Sequence, residues 1–330
     1  MSLKFVQMGL GPIGIEVAKT ALQKGFEIVG AVDIRDDIAG KDIADVLGLG
    51  EKTGIVVKKS ITELGNTGAD VVFHNTVSRF LDAYPQIVEI LEMGYNVVST
   101  TEELSYPYYR YPEKARELDR LAKDRGVTVL GTGVNPGFVL DTLPVVITTP
   151  AKRVEKIEGY RVQNASVRRY PFQKKIGTGM TPEEFMNAWK EGRLGHMGFK
   201  ESTAMIAGAL GWKLDRIEEE CEPVVAEKPV ETKYFKVQPG YVRGLHQTVR
   251  GFMDGREVIK LVIRAALAEE NPRDEIFVTG NPDIHLIIEG GLHGDIATVS
   301  VTANMAPIVI KADPGLKTMI ELPIPRNYQI

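Results

Sequence analysis

The chain has 330 residues, of which 43% are hydrophobic and 25% charged, and its formal net charge is −4. This length accommodates two domains with substantial cores, and the composition is that of an ordinary soluble globular protein. The weak negative charge argues against a nucleic-acid partner. The absence of an apolar run of about 18 residues or a basic leader argues against a membrane or export. The single cysteine, Cys221, excludes an internal disulfide and indicates the cytoplasm.

A glycine-rich motif follows the first predicted strand. The strand Lys4–Met8 runs directly into Gly-Leu-Gly-Pro-Ile-Gly at positions 9–14. A helix-compatible stretch comes next, and a second apolar run, Phe26–Val32, ends in Asp33. A G-x-G-x-x-G motif between a strand and a helix, with an acid after the second strand, is typical of dinucleotide-binding proteins. A glycine turn in an unrelated α/β domain is the alternative.

Each glycine of this motif has a physical role. Gly9 permits the tight turn, Gly11 lets backbone N–H groups approach a diphosphate, and Gly14 lets the helix pack closely. The helix N-terminus adds unpaired donors and a partial positive charge. The predicted cofactor-binding residues here are Gly9, Gly11, Pro12, Ile13, Gly14 and Asp33.

Two residues bear on the choice between NAD and NADP. Asp33 would accept hydrogen bonds from the ribose hydroxyls and repel a 2′-phosphate, which favours NAD. Arg35, two residues later, could pair with that phosphate. The sequence therefore predicts NAD or NADP, with dual use possible. Arg35 could equally be a solvated loop charge.

Strand-like and helix-like segments alternate through the first part of the chain, which indicates a parallel sheet with crossover helices. We predict an N-terminal Rossmann domain, a doubly wound parallel sheet, over residues 1–140. The predicted strands are Lys4–Met8, Glu27–Val32, Val71–His74, Asn96–Ser99 and Thr128–Leu130, and two of the helices are Ala83–Glu92 and Glu113–Asp124.

After about residue 140 the pattern predicts an α+β second domain with a largely antiparallel sheet, over residues 141–294. Helices are predicted at Pro182–Glu191 and Ser202–Leu210. The last segment, about 295–330, is predicted to pack back on the first domain through a helix that starts at Asp295, although its β-branched residues favour strand. The predicted strands of the second domain are Val154–Ser166, Thr232–Val237, Gly244–Asp254, Glu257–Leu267, Glu275–Thr279 and Ile284–Gly290.

Short polar loops follow the strands of the predicted parallel sheet, at the edge where such sheets bind ligands. Asn75 and Thr76 could contact the cofactor's ribose and diphosphate, and a simple polar turn would look the same. Asn135, in Asn-Pro-Gly, could bind the nicotinamide carboxamide or the substrate. A structural hinge between domains is the alternative for that loop.

Several longer segments resemble the 2,4-diaminopentanoate dehydrogenases and related native amine dehydrogenases, which share the architecture of dihydrodipicolinate reductase. The resemblance spans essentially the whole chain. It implies an NAD(P)-dependent enzyme that removes an amino group oxidatively, with a catalytic glutamate. The paired histidines of dihydrodipicolinate reductase are absent. The segments that carry the resemblance are 98–107, 131–138, 195–198, 244–247, 266–273 and 314–316.

Glu102 and Glu103 stand at the end of a predicted Rossmann strand, on the ligand edge. An amine must lose a proton before its carbon can give up hydride, and a nearby carboxylate can hold the ammonium and accept that proton. Because a strand end would point adjacent side chains in different directions, one acid should face the site. The resemblance places the family's catalytic glutamate on this pair, and we favour Glu102. The alternative is that both acids cap the following segment.

A substrate carboxylate would need a cationic partner in the second domain. Arginine pairs bidentately with carboxylates and keeps its charge when partly buried. The resemblance favours Arg161, which strand alternation would place on one face with Gln163. An ordinary sheet-surface charge is the alternative, as a structural histidine is for His196. The predicted substrate-binding residues are Arg161, Asn164, Arg168 and His196.

Two other functions remain open from the sequence. One is a dihydrodipicolinate reductase-type enzyme. The other is a regulator that senses NAD(H) without turnover, although a sensor needs no acid beside the nicotinamide. The histidines have no metal-binding spacing, so no metal is expected. The expected partners are a small diamino acid or amine and a second copy of the chain, joined as a homodimer through the second domain's sheet.

Overall fold

The computed structural model describes residues 2–327, and the chain divides into two compact units. Within the described residues, the first unit contains 2–138 and 293–327, and the second contains 139–292. The last three residues of the predicted C-terminal segment, 328–330, lie outside the described part.

The first unit is built on a six-stranded parallel sheet whose strands are short and almost wholly buried. Its core is formed by apolar side chains of the sheet and of the helices that cross over it, such as Val6, Phe80, Ile87, Leu118 and Val129. The elements are β1 (Lys4–Met8), α1 (Pro12–Gln23), β2 (Glu27–Val32), α2 (Ile43–Leu47), β3 (Val71–His74), α3 (Phe80–Glu92), β4 (Asn96–Ser99), α4 (Pro112–Arg125) and β5 (Thr128–Gly131).

The strand order of this sheet, with β14 (Gly315–Lys317) at one edge, is β14-β5-β4-β3-β1-β2. The direction of chain progression reverses between β1 and β3, because β2 lies on one side of β1 and β3 on the other. In open parallel sheets ligands bind beyond the carboxyl ends of the strands at such a reversal. The topology therefore places a ligand crevice beside residues 9–14 and 75–78, and the Rossmann fold predicted from the sequence is confirmed.

The C-terminal segment returns to the first unit. Helix α9 (Gly294–Val309) packs on α1 and β4, and β14 pairs in parallel with β5. The predicted helix begins one residue later than the observed one. The β-branched residues of α9 are compatible with helix here because much of the element is buried, and tertiary packing outweighs intrinsic propensity.

The second unit contains a six-stranded mixed sheet in the order β13-β12-β6-β11-β10-β7. Neighbouring strands are antiparallel except β6 and β11, which run parallel. Helix α8 (Phe199–Leu210) packs against β10 and β11, and Gly251 of β10 allows close approach because a Cβ there would lie 3.0 Å from Thr203 Cγ2. The strands are β6 (Arg153–Asn164), β7 (Arg216–Val225), β8 (Val230–Glu231), β9 (Lys236–Val237), β10 (Val242–Met253), β11 (Arg256–Ala266), β12 (Arg273–Asn281) and β13 (Ile284–Glu289).

The helices of the second unit are α5 (Thr142–Ile147), α6 (Tyr170–Lys175), α7 (Pro182–Lys190) and α8 (Phe199–Leu210). Helix α7 begins with a capping box in which the Thr181 hydroxyl accepts from the Glu184 amide and the Glu184 carboxylate accepts from the Thr181 amide. This reciprocal pair satisfies two amides that the first helical turn leaves without intrahelical partners.

One strand prediction for the second unit is wrong, and one strand there was not predicted. The segment Thr232–Val237 is not one strand, because the Thr232 hydroxyl accepts from the amides of Tyr234 and Phe235 and turns the chain into a small hairpin. Strand β7 was not predicted, since its run of glutamates has low strand propensity. It is an edge strand, where charged side chains can reach solvent.

None of the helices within residues 2–327 is both long enough and apolar enough to cross a membrane.

Candidate functional site

The loop between β1 and α1 has the geometry of a dinucleotide cradle. Gly9 has φ +86°, and a Cβ there would lie 2.4 Å from the carbonyl oxygen of Asn75. A Cβ on Gly14 would lie 1.9 Å from the Gly9 carbonyl oxygen, so neither position tolerates a side chain. A Cβ on Gly11 would meet no atom within 4 Å, which leaves open space above the loop.

Helix α1 begins at this loop with Gly11 as its N-cap and Pro12 in its first turn. Gly11 has no side chain to accept hydrogen bonds from the first amides of the helix, and proline has no amide to leave unsatisfied. The N-terminus therefore retains donors and partial positive charge beside the open space at Gly11. These features fit the diphosphate of a dinucleotide.

Asp33 and Arg35 are paired with each other. Arg35 Nε lies 3.0 Å from Asp33 Oδ1, and the Leu10 amide donates to Asp33 Oδ2 at 2.7 Å. Burial of Asp33, which is 8% exposed, opposes ionisation, but the hydrogen bonds from Arg35 and Leu10 outweigh it and lower the pKa of the carboxyl. The same pairing raises the pKa of Arg35. The sequence pointed to both residues but not to their contact.

A buried glutamine of β1 anchors the loop after β3 through hydrogen bonds. Gln7 Nε2 donates to the Gly9 carbonyl and to Asn75 Oδ1, both at 2.9 Å. Asn75 Nδ2 in turn donates to Thr100 Oγ1 at 3.0 Å. Asn75 thus ties the loops after β1, β3 and β4 together, while the Thr76 hydroxyl hydrogen-bonds His74 and Gln86.

The two adjacent glutamates have different surroundings. Glu103 is buried, and its Oε2 accepts from the Phe80 amide at 2.8 Å, at the first turn of α3. Its Oε1 lies 3.8 Å from Arg110 Nε. A carboxylate at a helix N-terminus stabilises the helix dipole, so Glu103 acts as a cap. Glu102 is only half-buried and follows Thr101 in a short 3₁₀ turn, Glu102–Ser105.

That 3₁₀ turn lies close against the end of β5. A Cβ on Gly131 would lie 2.5 Å from the Leu104 carbonyl carbon, so the absence of a side chain at Gly131 permits the approach. Asn135, also predicted to bind cofactor, is buried and precedes a cis proline. Its neighbour Val134 donates its amide to Thr298 Oγ1 at 3.3 Å, which ties this loop to α9.

Arg161 belongs to a buried ionic cluster in the second unit. It is 2% exposed, and its Nε lies 3.4 Å from Oδ1 of Asp274, which is 1% exposed on the neighbouring strand. Nη2 donates to the Leu292 carbonyl at 2.5 Å, and the Gln163 amide oxygen, oriented toward the guanidinium, accepts at 2.9 and 3.1 Å. Burial lowers the pKa of Arg161, a shift that Asp274 opposes, and burial raises the pKa of Asp274.

The other predicted substrate residues lie in the same unit. Asn164 Oδ1 accepts from the Ser166 amide at 3.0 Å and so caps a local turn. Arg168 is buried, with its guanidinium 4.2 Å from the Phe172 ring centroid. The backbone of His196 is held by Gln247, which accepts from its amide at 2.7 Å and donates to its carbonyl at 2.9 Å.

Sequence reasoning missed three polar residues in these regions. Gln7 and His74 lie inside predicted strands and Asp274 lies one residue before one, and all three are buried. A polar side chain in an otherwise apolar buried strand is the signal that could have found them, since such groups require hydrogen-bond partners. Among residues 2–327, no group of three or more His, Cys, Asp and Glu side chains is placed to hold a metal ion.

Comparison with known proteins gives the same family by two routes. Residues 138–329 match the family model of the 2,4-diaminopentanoate dehydrogenase C-terminal domain. The chain is also 37% identical to the 2,4-diaminopentanoate dehydrogenase of Acetoanaerobium sticklandii, over 98% of this chain and 94% of that protein.

Solved structures show the same architecture. An amine dehydrogenase from Mycobacterium smegmatis superposes with a TM-score of 0.87 at 27% identity, covering all of this chain and 99% of that one. The WlbA dehydrogenase from Bordetella pertussis, solved with NADH and UDP-GlcNAcA, has a TM-score of 0.54 at 12% identity. It covers 93% of this chain and 82% of that one, and it supports the fold alone.

Proposed function

The chain belongs to the 2,4-diaminopentanoate dehydrogenase family, and we propose that it oxidatively deaminates 2,4-diaminopentanoate at C4, reversibly, to give 2-amino-4-oxopentanoate and ammonia. The cofactor in this proposal is NAD or NADP. The observation that carries the proposal is a half-buried carboxylate, Glu102, at the carboxyl edge of the same sheet whose first loop has the dinucleotide cradle.

A bound nicotinamide ring would supply the hydride acceptor. The residues that would hold the dinucleotide are Gly9, Gly11, Pro12, Ile13 and Gly14 at its diphosphate, and Asp33 and Arg35 at its adenosine ribose. Asn75, Thr76 and Asn135 occupy loops at the same edge and would complete the binding surface. The open space at Gly11 and the uncapped start of α1 support this assignment.

Glu102 would be the general base of the reaction. Its carboxylate would hold the substrate ammonium and accept one proton, so that the neutral amine can release hydride from C4. Loss of hydride would leave an iminium at C4. Glu102, after passing its proton to solvent, would take a proton from the water that adds to C4 and return it to the amino group, so that the C4–N bond breaks and ammonia leaves. Glu103 is a poor candidate for this role because its carboxylate is engaged at the N-terminus of α3.

The substrate carboxylate is assigned to the cluster around Arg161. Arg161 Nη1 is buried, and it has no hydrogen-bond partner among the atoms of residues 2–327. A buried guanidinium N–H without a hydrogen-bond partner fits an anionic ligand, because burying a donor that makes no hydrogen bond is costly. Asn164, Arg168 and His196 are the further candidates for contacts with the substrate.

A panel of amines tests this proposal. Purified protein is supplied with NAD or NADP and with 2,4-diaminopentanoate, a carboxylate-free amine of similar size, or an α-amino acid, and cofactor reduction is followed. The proposal requires reduction with 2,4-diaminopentanoate and stoichiometric ammonia. Turnover of the cyclic substrate of dihydrodipicolinate reductase instead, or NADH binding without turnover of any amine, would overturn it.

A homodimer in the cytoplasm is also part of the proposal. The sheet face of the second unit opposite α8 carries an aromatic group, in which the Phe277 ring stacks on His285 at 4.1 Å and lies edge-on to Tyr160 at 6.0 Å. Ile287, on the same face, is 47% exposed. Half-buried aromatic side chains beside an exposed apolar one are typical of a contact surface, where aromatic residues are enriched. Light scattering after size exclusion measures the oligomeric state, and Phe277→Asp should shift it to monomer.

A further inference from the structure

His74 ends β3 and is completely buried among polar partners. Its Nδ1 lies 2.9 Å from Ser99 Oγ, at the end of β4. Its Nε2 lies 3.1 Å from Gln86 Oε1 on α3 and 2.9 Å from Thr76 Oγ1. These partners are all uncharged. The ring therefore joins the loop that carries Thr76 to the strand that leads into Glu102.

The donor and acceptor roles in this network are fixed by the Gln86 amide on one side and the Thr101 amide on the other. Gln86 Nε2 donates to the Asp82 carbonyl at 3.2 Å, so Gln86 Oε1 faces His74 and must accept from Nε2–H. Nδ1 is then the acceptor of the neutral ring, and it receives the hydroxyl hydrogen of Ser99. The Ser99 oxygen keeps a lone pair for the Thr101 amide, which donates to it at 3.1 Å.

Burial keeps the ring in this one state. It lowers the pKa of His74 to about 4, since desolvation disfavours the charged imidazolium. A neutral ring can accept from Ser99 and donate toward Gln86 and Thr76 at the same time, whereas an imidazolium would have two donors. The direction of every bond in the network is thus unchanged at neutral pH.

The network acts on the residue immediately before the candidate catalytic acid. Thr101 is the N-cap of the 3₁₀ turn that begins at Glu102, and its hydroxyl donates to the Val77 carbonyl at 2.7 Å. The Ser99 hydroxyl fixes the Thr101 amide, and His74 fixes the Ser99 hydroxyl. On the other side, His74 and Gln86 hold the Thr76 hydroxyl.

We infer that His74 is a positioning residue that aligns the Glu102 turn, through Ser99, with the cofactor-binding loop at Thr76, through its opposite ring nitrogen. The inference rests on the proposed function, because it assigns those two loops to acid–base chemistry and to cofactor binding. His74 itself touches neither substrate nor cofactor. Its two nitrogens serve two separate functions, and a substitution can remove one and keep the other.

Two substitutions distinguish the role of Nδ1 from that of Nε2. In His74→Asn, the amide oxygen can occupy the place of Nδ1 and accept from Ser99, but nothing reaches Gln86 and Thr76. In His74→Gln, the amide nitrogen can occupy the place of Nε2, and the Ser99 bond is lost. We expect His74→Asn to raise the Kd for NADH about tenfold with kcat little changed. We expect His74→Gln to lower kcat about tenfold with the Kd for NADH little changed.

Two further variants test the Ser99 side and the Gln86 side of the network separately. Neither alters the buried ring, so they remain informative if the His74 variants fail to fold. Ser99→Ala should reproduce the kcat loss of His74→Gln, and the double variant should lose no more than either alone. Gln86→Leu should reproduce the weaker NADH binding of His74→Asn. Hydrogen exchange of the Thr101 amide should quicken in Ser99→Ala and His74→Gln, and not in Gln86→Leu.

Tyr95→Phe is the matched control for lost stability. The Tyr95 hydroxyl accepts from the Thr67 amide at 3.0 Å in the same unit, and Tyr95 directly precedes the amino end of β4, away from the ligand edge. Its loss should lower stability and leave kcat and the Kd for NADH unchanged. Equal effects of His74→Asn and His74→Gln on both constants would overturn the positioning role. If wild-type protein oxidises no amine, the proposed function fails, whereas the inference fails alone when wild type is active and the variants do not separate.

Discussion

The two regions that carry the candidate site residues are built in different ways. At the carboxyl edge of the parallel sheet, the candidate groups stand in loops, which are tied to β1 and to one another by hydrogen bonds such as Gln7–Asn75 at 2.9 Å and Asn75–Thr100 at 3.0 Å. In the second unit, Arg161 stands within a strand and forms a buried ion pair with Asp274 on the next strand. Loop residues can be exchanged for function with small effects on folding, whereas a strand-borne ion pair couples function to stability.

The largest expected effect separates catalysis from folding at the sheet edge. Glu102→Gln should bind cofactor normally and lose amine oxidation by about 10²–10⁴-fold, because a positioned general base contributes that much. Steady-state rates and NADH titration measure the two properties. Glu103→Gln is the matched control, which should lower stability through the weaker cap of α3 and keep most activity. If Glu103→Gln loses activity while Glu102→Gln keeps it, the assignments are reversed.

The second unit should show the opposite behaviour. Arg161→Met leaves Asp274 buried without its partner, and we expect a loss of about 3–5 kcal/mol in the free energy of unfolding, measured with urea. The double variant Arg161→Met/Asp274→Leu should recover most of this loss, because no uncompensated charge is left.

The same double variant tests the substrate role of Arg161. If the guanidinium binds the substrate carboxylate, KM for 2,4-diaminopentanoate should rise while a carboxylate-free amine of similar size reacts as before or better. Parallel loss on both substrates would assign Arg161 to the fold alone and make Arg168 the next candidate.

A pH titration extends the comparison to a strand residue of the sheet edge, because His74 ends β3 and couples stability to its own protonation. Its pKa of about 4 in the folded protein lies below its ordinary value of 6.5, so the unfolded chain binds the proton more readily. The resulting stabilisation of about 3 kcal/mol is present above pH 6.5 and is lost as the pH falls toward 4. In urea unfolding, the stability difference between wild type and His74→Asn should shrink by that amount over this window. A constant difference would contradict it.

The smallest effect concerns the Asp33–Arg35 pair. Arg35→Ala should weaken NADP binding by about 1.5–3 kcal/mol, the value of a charge-assisted hydrogen bond. NAD binding should stay unchanged or improve, because Asp33 is then available for the ribose hydroxyls. Asp33→Ala should weaken NAD more than NADP. Equal losses of both cofactors in both variants, measured by calorimetry, would rule out these roles.

Local sequence patterns predicted much of the first unit. The bounds of β1, β2, β3 and β4 match the predictions residue for residue, because short apolar runs bounded by turns are buried strands in a parallel sheet. In the second unit the edge strand β7 was not predicted. Its consecutive glutamates hide the alternation of apolar and polar residues from which a strand with Cys221 buried could have been predicted. Burial, rather than the neighbouring glutamates alone, raises the pKa of that thiol to about 12.

The sequence by itself determined the dinucleotide motif, the acidic pair at a strand end and the family, since each depends on residues that are close together in the chain. Only the tertiary structure decided which partner each charged group takes. Glu103 caps α3, Asp33 pairs with Arg35, and Arg161 pairs with Asp274. A side chain's partner depends on which strands become neighbours and on which buried polar groups still need a hydrogen bond. Neither can be inferred from the spacing of residues along the chain.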